Sequence, residues 1–281
     1  MSKELAKTFL QELMQELESK TLVLPTLPEV ALRVRDAVDD ENSSIVGISR
    51  VIATDAALSA RLIQVANSPL MRATQEIESL EMAVNRLGLK LVRDMVISMV
   101  MEQMFQATSE LTDMKLRQVW EHSTLVAAIS HTLAAQFTKL QPQQALLAGL
   151  VHDIGILPII TKAEDYPELL EDEATLNRII DKLHGKIGYA ILKAWNFPAD
   201  LMRVPLEHED LQRNSEQVDY SDVVTVANLQ SYAGTDHPLA SIDWSTVPAF
   251  DKLGLSPEIN VIEMEETAED IREAQRLLGR G

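Results

Sequence analysis

The sequence predicts an all-α protein, and three observations carry that prediction. Helix formers (Ala, Leu, Glu, Gln, Met) crowd nearly every segment. Aromatic residues make up only 4% and β-branched runs are few, which disfavours sandwiches and barrels. Apolar residues recur at helical spacing between breaks made of Pro, Gly, Asn and Ser. With 281 residues, 46% apolar, and only 10 Gly and 11 Pro, the chain is long enough for one large core or two modest ones and is not low-complexity.

The first helix follows from the stripe Leu5, Phe9, Leu13, Met14, Leu17, and Leu24-Pro25-Thr26-Leu27-Pro28 interrupts it. Pro28 and Glu29 open a second helix carrying Val30, Leu32, Val34 and Val38, which ends in the polar stretch Asp39 to Ser44. A third covers about Ile45–Thr54, and a fourth starts from Asp55 as N-cap and stops at Asn67-Ser68-Pro69. Ser79 to Leu87 is a short helix closed by Gly88 in the left-handed conformation, and the apolar, methionine-rich run Leu89–Phe105 follows. After the break 107–110, a long helix runs from about Thr112 to Lys139. Pro142 starts another, ended by Gly155 and Pro158. Tyr166–Phe197 makes two helices, Pro198 opens one to about His208, and Ser221 opens one to about Tyr232. A loop through Pro238 and Pro248 leads to Ser256-Pro257-Glu258, a helix-start signature, with Arg272, Arg276 and Arg280 at the far end. The division falls near residue 110: an N-terminal helical subdomain, 1–110, packed on a second, 111–281.

The charge balance, Lys+Arg 25 against Asp+Glu 43 for a net of −18, opposes broad nucleic-acid or anionic-membrane binding. The absence of cysteine excludes disulfides, thiolate metal sites and thiol nucleophiles. No uninterrupted apolar run reaches the roughly 18 residues of a bilayer span, and the N-terminus has no signal-peptide core, so the expected location is the cytoplasm.

Chemistry concentrates at residues 145–160, ALLAGLVHDIGILPII, where His152 and Asp153 are the only polar side chains. A helix apolar all round is buried, and an ionised Asp153 at its end needs a partner or a cation. A structural role, capping or hydrogen bonding to a neighbouring helix, is one reading; a metal site is the other, and it needs further ligands. His122 sits at the edge of an apolar face, whereas His131, nine residues on, falls on the opposite side and is expected in solvent. His208 follows Leu201 and Val204 at helical spacing, His184 precedes Gly185 and Gly188, and Asn228 lies in an apolar helix where an amide needs a partner. His237 reads as loop. Met95, Met99, Met101 and Met104 suit a core stripe or an adaptable groove. Arg86, Lys90 and Arg93 read as a solvated basic face.

The order His122, His152-Asp153, His184, Glu207-His208-Glu209, Ala227-Asn228 resembles the HD-domain superfamily of metal-dependent phosphohydrolases. The N-terminal half narrows this. Leu24-Pro25-Thr26-Leu27-Pro28-Glu29-Val30, Asp55-Ala56-Ala57-Leu58-Ser59, Val65-Ala66-Asn67-Ser68, Ser79 to Val84 and Arg86-Leu87-Gly88 resemble the HDOD family, as do Trp120-Glu121-His122-Ser123 and Ala148 to Gly155. The resemblance spans about residues 22–235. It implies an all-helical HDOD fold with an HD-like C-terminal subdomain, and a part in bacterial signal transduction through a protein partner. It implies a divalent metal (Fe, Mn, Ni, Zn or Mg) held by His122, His152, Asp153, His184, His208 and Asn228. The sequence departs from the hydrolytic pattern: Asn228 replaces the last Asp, Glu207 replaces one of the paired histidines, and Ile156 replaces a phosphate-binding lysine. The resemblance therefore implies a non-catalytic regulator. The enzyme alternative is a phosphohydrolase acting on a nucleotide or phosphomonoester, with His184 or Lys186 steadying the phosphate and Lys182 beside them.

Overall fold

The computed structural model describes residues 3–40, 43–71 and 76–278. Among the described residues sixteen α-helices run in order as α1 (Lys3–Ser19), α2 (Glu29–Asp39), α3 (Ile45–Ile52), α4 (Ala56–Ala66), α5 (Leu80–Leu87), α6 (Leu89–Met101), α7 (Glu110–Phe137) and α8 (Pro142–Val151), followed by α9 (Ile156–Ala163), α10 (Pro167–Glu171), α11 (Glu173–Ala194), α12 (Ala199–Met202), α13 (Val204–Glu207), α14 (Tyr220–Ser231), α15 (Pro248–Leu253) and α16 (Glu265–Leu278). No strand occurs among the described residues. Side-chain caps start several of them: Ser44 accepts from the Gly47 amide at 3.1 Å, Asp55 from Leu58 at 2.9 Å and Ser79 from Met82 at 3.2 Å.

Helix α7 is the spine. Residues Val126 to Ala134 are buried on every face because α8, α14 and α16 wrap around it. Helix α8 is likewise buried from Ala145 to Val151. Stretch 142–163 is long and apolar enough to cross a membrane, but the turn at 152–155 interrupts it and most of it is buried inside the protein. It is two core helices, α8 and α9, each packed against α7. Helix α1 straps the C-terminal half: Phe9 meets Tyr166 edge-on at 5.1 Å, and Lys162 pairs with Glu16 at 2.8 Å. The chain then returns beneath Trp195, whose Nε1 donates to the Pro25 carbonyl at 3.0 Å.

Several expectations need correcting. Helix α8 stops at Val151, and Pro158 sits in the first turn of α9, where its missing N–H costs nothing. Gly88 has φ 78° but ψ 154°, outside the left-handed helical region, because this one residue ends α5 and starts α6. Pro248 opens a short helix within the expected loop. Ser256-Pro257-Glu258 starts no helix, since the buried Gln230 amide claims that backbone. Gln230 donates to the Ile259 carbonyl at 2.8 Å and accepts from the Val261 amide at 3.1 Å, delaying α16 to Glu265. Arg93 is not free in a solvated face but pairs with Asp94 at 3.1 Å. His131 is buried rather than solvated, because α7 is covered on the side a two-faced helix would leave open. Arg280 and the Glu41–Asn42 part of the polar stretch lie outside the described residues.

Candidate metal centre

Two helices and two turns converge at Asp153. His122 comes from the middle of α7, His152 and Asp153 from the turn after α8, His184 from the middle of α11, and His208 from the end of α13. Close backbone approach makes this possible. A Cβ on Gly155 would lie 1.9 Å from the His184 carbonyl oxygen, and one on Gly185 would lie 2.5 Å from the Pro205 carbonyl oxygen. Only glycine lets α9, α11 and α13 come this near one another.

Asp153 presents its two oxygens to two pairs of imidazoles. Oδ2 lies 3.3 Å from His152 Nε2 and 3.8 Å from His122 Nε2, while Oδ1 lies 3.6 Å from both His184 Nε2 and His208 Nε2. In each of two groups, His122–His152–Asp153 and Asp153–His184–His208, the donor atoms fall within 4.8 Å of one another. The opposite edges of three rings are tied to backbone carbonyls. His152 Nδ1 donates to Gly149 at 2.6 Å, His184 Nδ1 to Ile180 at 2.8 Å and His208 Nδ1 to Val204 at 3.1 Å. A carbonyl can only accept, so each Nδ1 carries a proton and each ring turns its Nε2 toward Asp153. Burial, with His152 adding repulsion, pushes the His122 imidazole down to about 4 and that of His208 to about 3. Burial likewise disfavours charge on His152 and Asp153, but their mutual attraction wins, raising the former and holding the latter well below the usual carboxylate range.

The residues fit a divalent cation on this structure's own terms. The buried His184 Nε2 and Asn228 Oδ1 have no hydrogen-bond partner, an expensive state for groups of this kind unless something else is bound. Imidazole and carboxylate donors suit several first-row metals.

Asn228 on α14 joins the group beside His122. Lys186 does not: two residues beyond His184 on α11, it is about 200° around the helix and exposed, as is Lys182. Glu207 is also diverted, accepting from Arg213 Nε at 2.9 Å and from Ser221 Oγ at 2.8 Å. Three further residues reach the site. Tyr232, one helical turn after Asn228, places its hydroxyl 3.4 Å from His122 Nε2 and stacks on that ring at 5.1 Å. His237 stacks on Tyr232 at 3.6 Å. Glu209 Oε2 lies 3.7 Å from His184 Nε2, and burial raises its carboxyl. The sequence signals for these were the adjacency of Glu209 to His208 and the four-residue interval from Asn228 to Tyr232; nothing local marks His237.

The cluster forms the floor of a cavity of about 740 Å³. Its walls carry Glu173, Asp181 and Glu209 besides Asp153, against one cationic side chain, Lys115, whose ammonium lies 3.1 Å from Glu173.

A solved structure from Shewanella amazonensis SB2B, that of a candidate metal-dependent phosphohydrolase, is 30% identical to this chain. It superposes with a TM-score of 0.84, covering 98% of this chain and 99% of the other. A candidate signal transduction protein from Marinobacter aquaeolei VT8, 18% identical, shares the fold with a TM-score of 0.63 over 98% of this chain and 66% of that one. A curated Treponema pallidum relative, an uncharacterised protein, is 26% identical over 211 residues; the match takes in 69% of this chain but only 39% of the relative's length. The HDOD domain pattern matches residues 24–211, from the Leu24-Pro25 crossing through His122, His152-Asp153, His184 and His208. With two thirds of its length inside that pattern and its histidines gathered on one aspartate, the chain belongs to the HDOD family.

Proposed function

We propose that this protein is a non-catalytic signal-transduction protein of the HDOD type, which holds a divalent cation on the Asp153 cluster and works through contact with a protein partner. The acidic cavity is the observation that carries this reading. A phosphoester entering it meets Asp153, Glu173, Asp181 and Glu209, while Lys115 is already committed to Glu173. Hydrolytic sites for phosphate use fixed cationic donors to stabilise the charge that develops in the transition state. Here Asn228 adds a neutral amide where a carboxylate would bind a cation more strongly. The names borne by the Marinobacter and Shewanella proteins support signalling and metal dependence respectively.

A bound divalent cation would supply Lewis acidity and positive charge at the cavity floor. His122, His152 and Asp153, or Asp153, His184 and His208, would hold it, with the Gly149, Ile180 and Val204 carbonyls fixing three of the rings. Tyr232 walls the site beside His122. The phosphohydrolase reading is favoured by one specific observation, the four imidazole Nε2 atoms gathered on a single carboxylate.

The test is Mn²⁺ binding together with hydrolysis of bis(p-nitrophenyl) phosphate by the full chain. Mn²⁺ binding lost in Asp153→Ala, with hydrolysis no faster than in that variant, supports the regulator. Mn²⁺-dependent turnover abolished by Asp153→Ala overturns it in favour of the enzyme.

A further inference from the structure

On the side of α7 away from the Asp153 cluster lies His131, only 5% exposed, with no hydrogen-bond partner for either ring nitrogen. A buried imidazole with two unsatisfied nitrogens is a standing cost to the fold. It lines a small space of about 20 Å³, room for one ion or one water molecule. Three methionines line the same space: Met95 and Met99 on α6, and Met71 from the turn after α4. Met95 and Met99 are four residues apart and so share one face of their helix.

We propose that His131, Met95, Met99 and Met71 form a second metal site, separate from the Asp153 cluster, that takes a single copper(I) ion. The donor chemistry decides the class of ion. One imidazole with thioethers is a soft set, which favours monovalent copper over magnesium, calcium or manganese. The remaining walls hold no carboxylate: they are Val65, Leu146, Leu278, Ser98 and Gln143. Ser98 is already occupied, its hydroxyl donating to the Asp94 carbonyl at 3.0 Å. The Gln143 amide points toward the Met71 sulfur at 4.0 Å, which leaves His131 without a polar partner there. Burial also keeps the His131 imidazole neutral, with its pKa down to about 4, so a ring lone pair is available at physiological pH. A monovalent ion suits this apolar space because it brings half the charge of a divalent one. The inference does not depend on the function proposed for the Asp153 cluster.

The experiment is anaerobic titration of the full chain with copper(I) buffered by bicinchoninate, using the Asp153→Ala protein so that the carboxylate common to both ligand groups of the first cluster is absent. One copper(I) per chain, with sulfur scatterers in its X-ray absorption spectrum, is the expected result. His131→Phe should weaken binding at least about tenfold, and Met99→Leu should weaken it while preserving side-chain volume. The leucine variant keeps the test decisive if His131→Phe fails to fold. All copper remaining with bicinchoninate would overturn the proposal and leave the space to a water molecule. So would retention of copper at full strength in Met99→Leu and His131→Phe, or a spectrum showing only nitrogen and oxygen scatterers.

Discussion

Replacing Gly155 by alanine should damage the metal centre without touching any of its ligands. The new Cβ would stand 1.9 Å from the His184 carbonyl oxygen and 2.6 Å from the Gly188 nitrogen. Ordinary contact begins near 3.4 Å, so backbone must yield by about 1.5 Å, the difference between that distance and the 1.9 Å approach. Neither obstructing atom belongs to a side chain that can rotate away. The displaced backbone belongs to the helix that carries His184, whose Nε2 is 3.6 Å from Asp153 Oδ1. Donors sharing one ion at about 2.1 Å each can be no more than about 4.2 Å apart. Adding the displacement to the present separation gives roughly 5 Å, beyond that limit, so His184 would leave the coordination shell. Overpacking typically costs about 1–3 kcal/mol, and a backbone collision belongs at the upper end. At about 2–4 °C per kcal/mol for a chain of this size, Tm should fall by roughly 6–12 °C. The assays are thermal melting without metal and Mn²⁺ affinity by competition with a chelator. A Gly155→Ala protein that melts within 2 °C of its parent and binds Mn²⁺ equally well would refute the reasoning.

Gly47→Ala is the opposite case: its Cβ would meet only Ser44 Oγ at 3.4 Å inside α3, so stability should rise by about 0.5–1 kcal/mol, and a loss in urea melts would contradict this. Asp222, 1% exposed, accepts from Arg213 Nη1 at 2.9 Å and from Lys252 Nζ at 2.5 Å. Asp222→Ala leaves half-buried Lys252 without its carboxylate while Arg213 keeps Glu207 and Asp219, and should cost about 1–3 kcal/mol, which denaturant titration would measure. Burial raises the Asp94 carboxyl above its unfolded value despite the neighbouring Arg93. Ionised Asp94 therefore costs stability at neutral pH, and that cost disappears as pH falls through its folded pKa. Asp94→Asn should be more stable than the parent at pH 7, with the gap closing on acidification; a pH-independent gap would remove the argument. Finally, Mn²⁺ at a hundred times its Kd should stabilise the chelator-treated parent by about 2.7 kcal/mol, and Asp153→Ala should show no such shift.

Most of the helices were legible because their evidence is local. Ser44, Asp55 and Ser79 cap the helices they precede, and apolar spacing marks the faces that pack. The polar pair at the end of the apolar run 145–151 marked His152 and Asp153 in the same way, since burial of such a run is implied by its composition. What the chain alone does not carry is which distant groups meet. His131 was expected in solvent because helical periodicity assumes one wet face, and α7 has none along Val126–Ala134. The helix expected at Ser256 is lost to hydrogen bonds from Gln230, a residue 26 positions earlier that only the tertiary fold brings alongside. Tyr232 and His237 join the metal centre through stacking between α7, α14 and the turn that follows, and Lys186 is excluded by a rotation of two residues on α11. Helix starts, buried faces and the identity of the ligand types follow from short-range patterns, which the sequence by itself determines. The coordination geometry, the acidic walls around it and the unpartnered imidazole behind it arise from contacts between remote segments, so only the tertiary structure decides them.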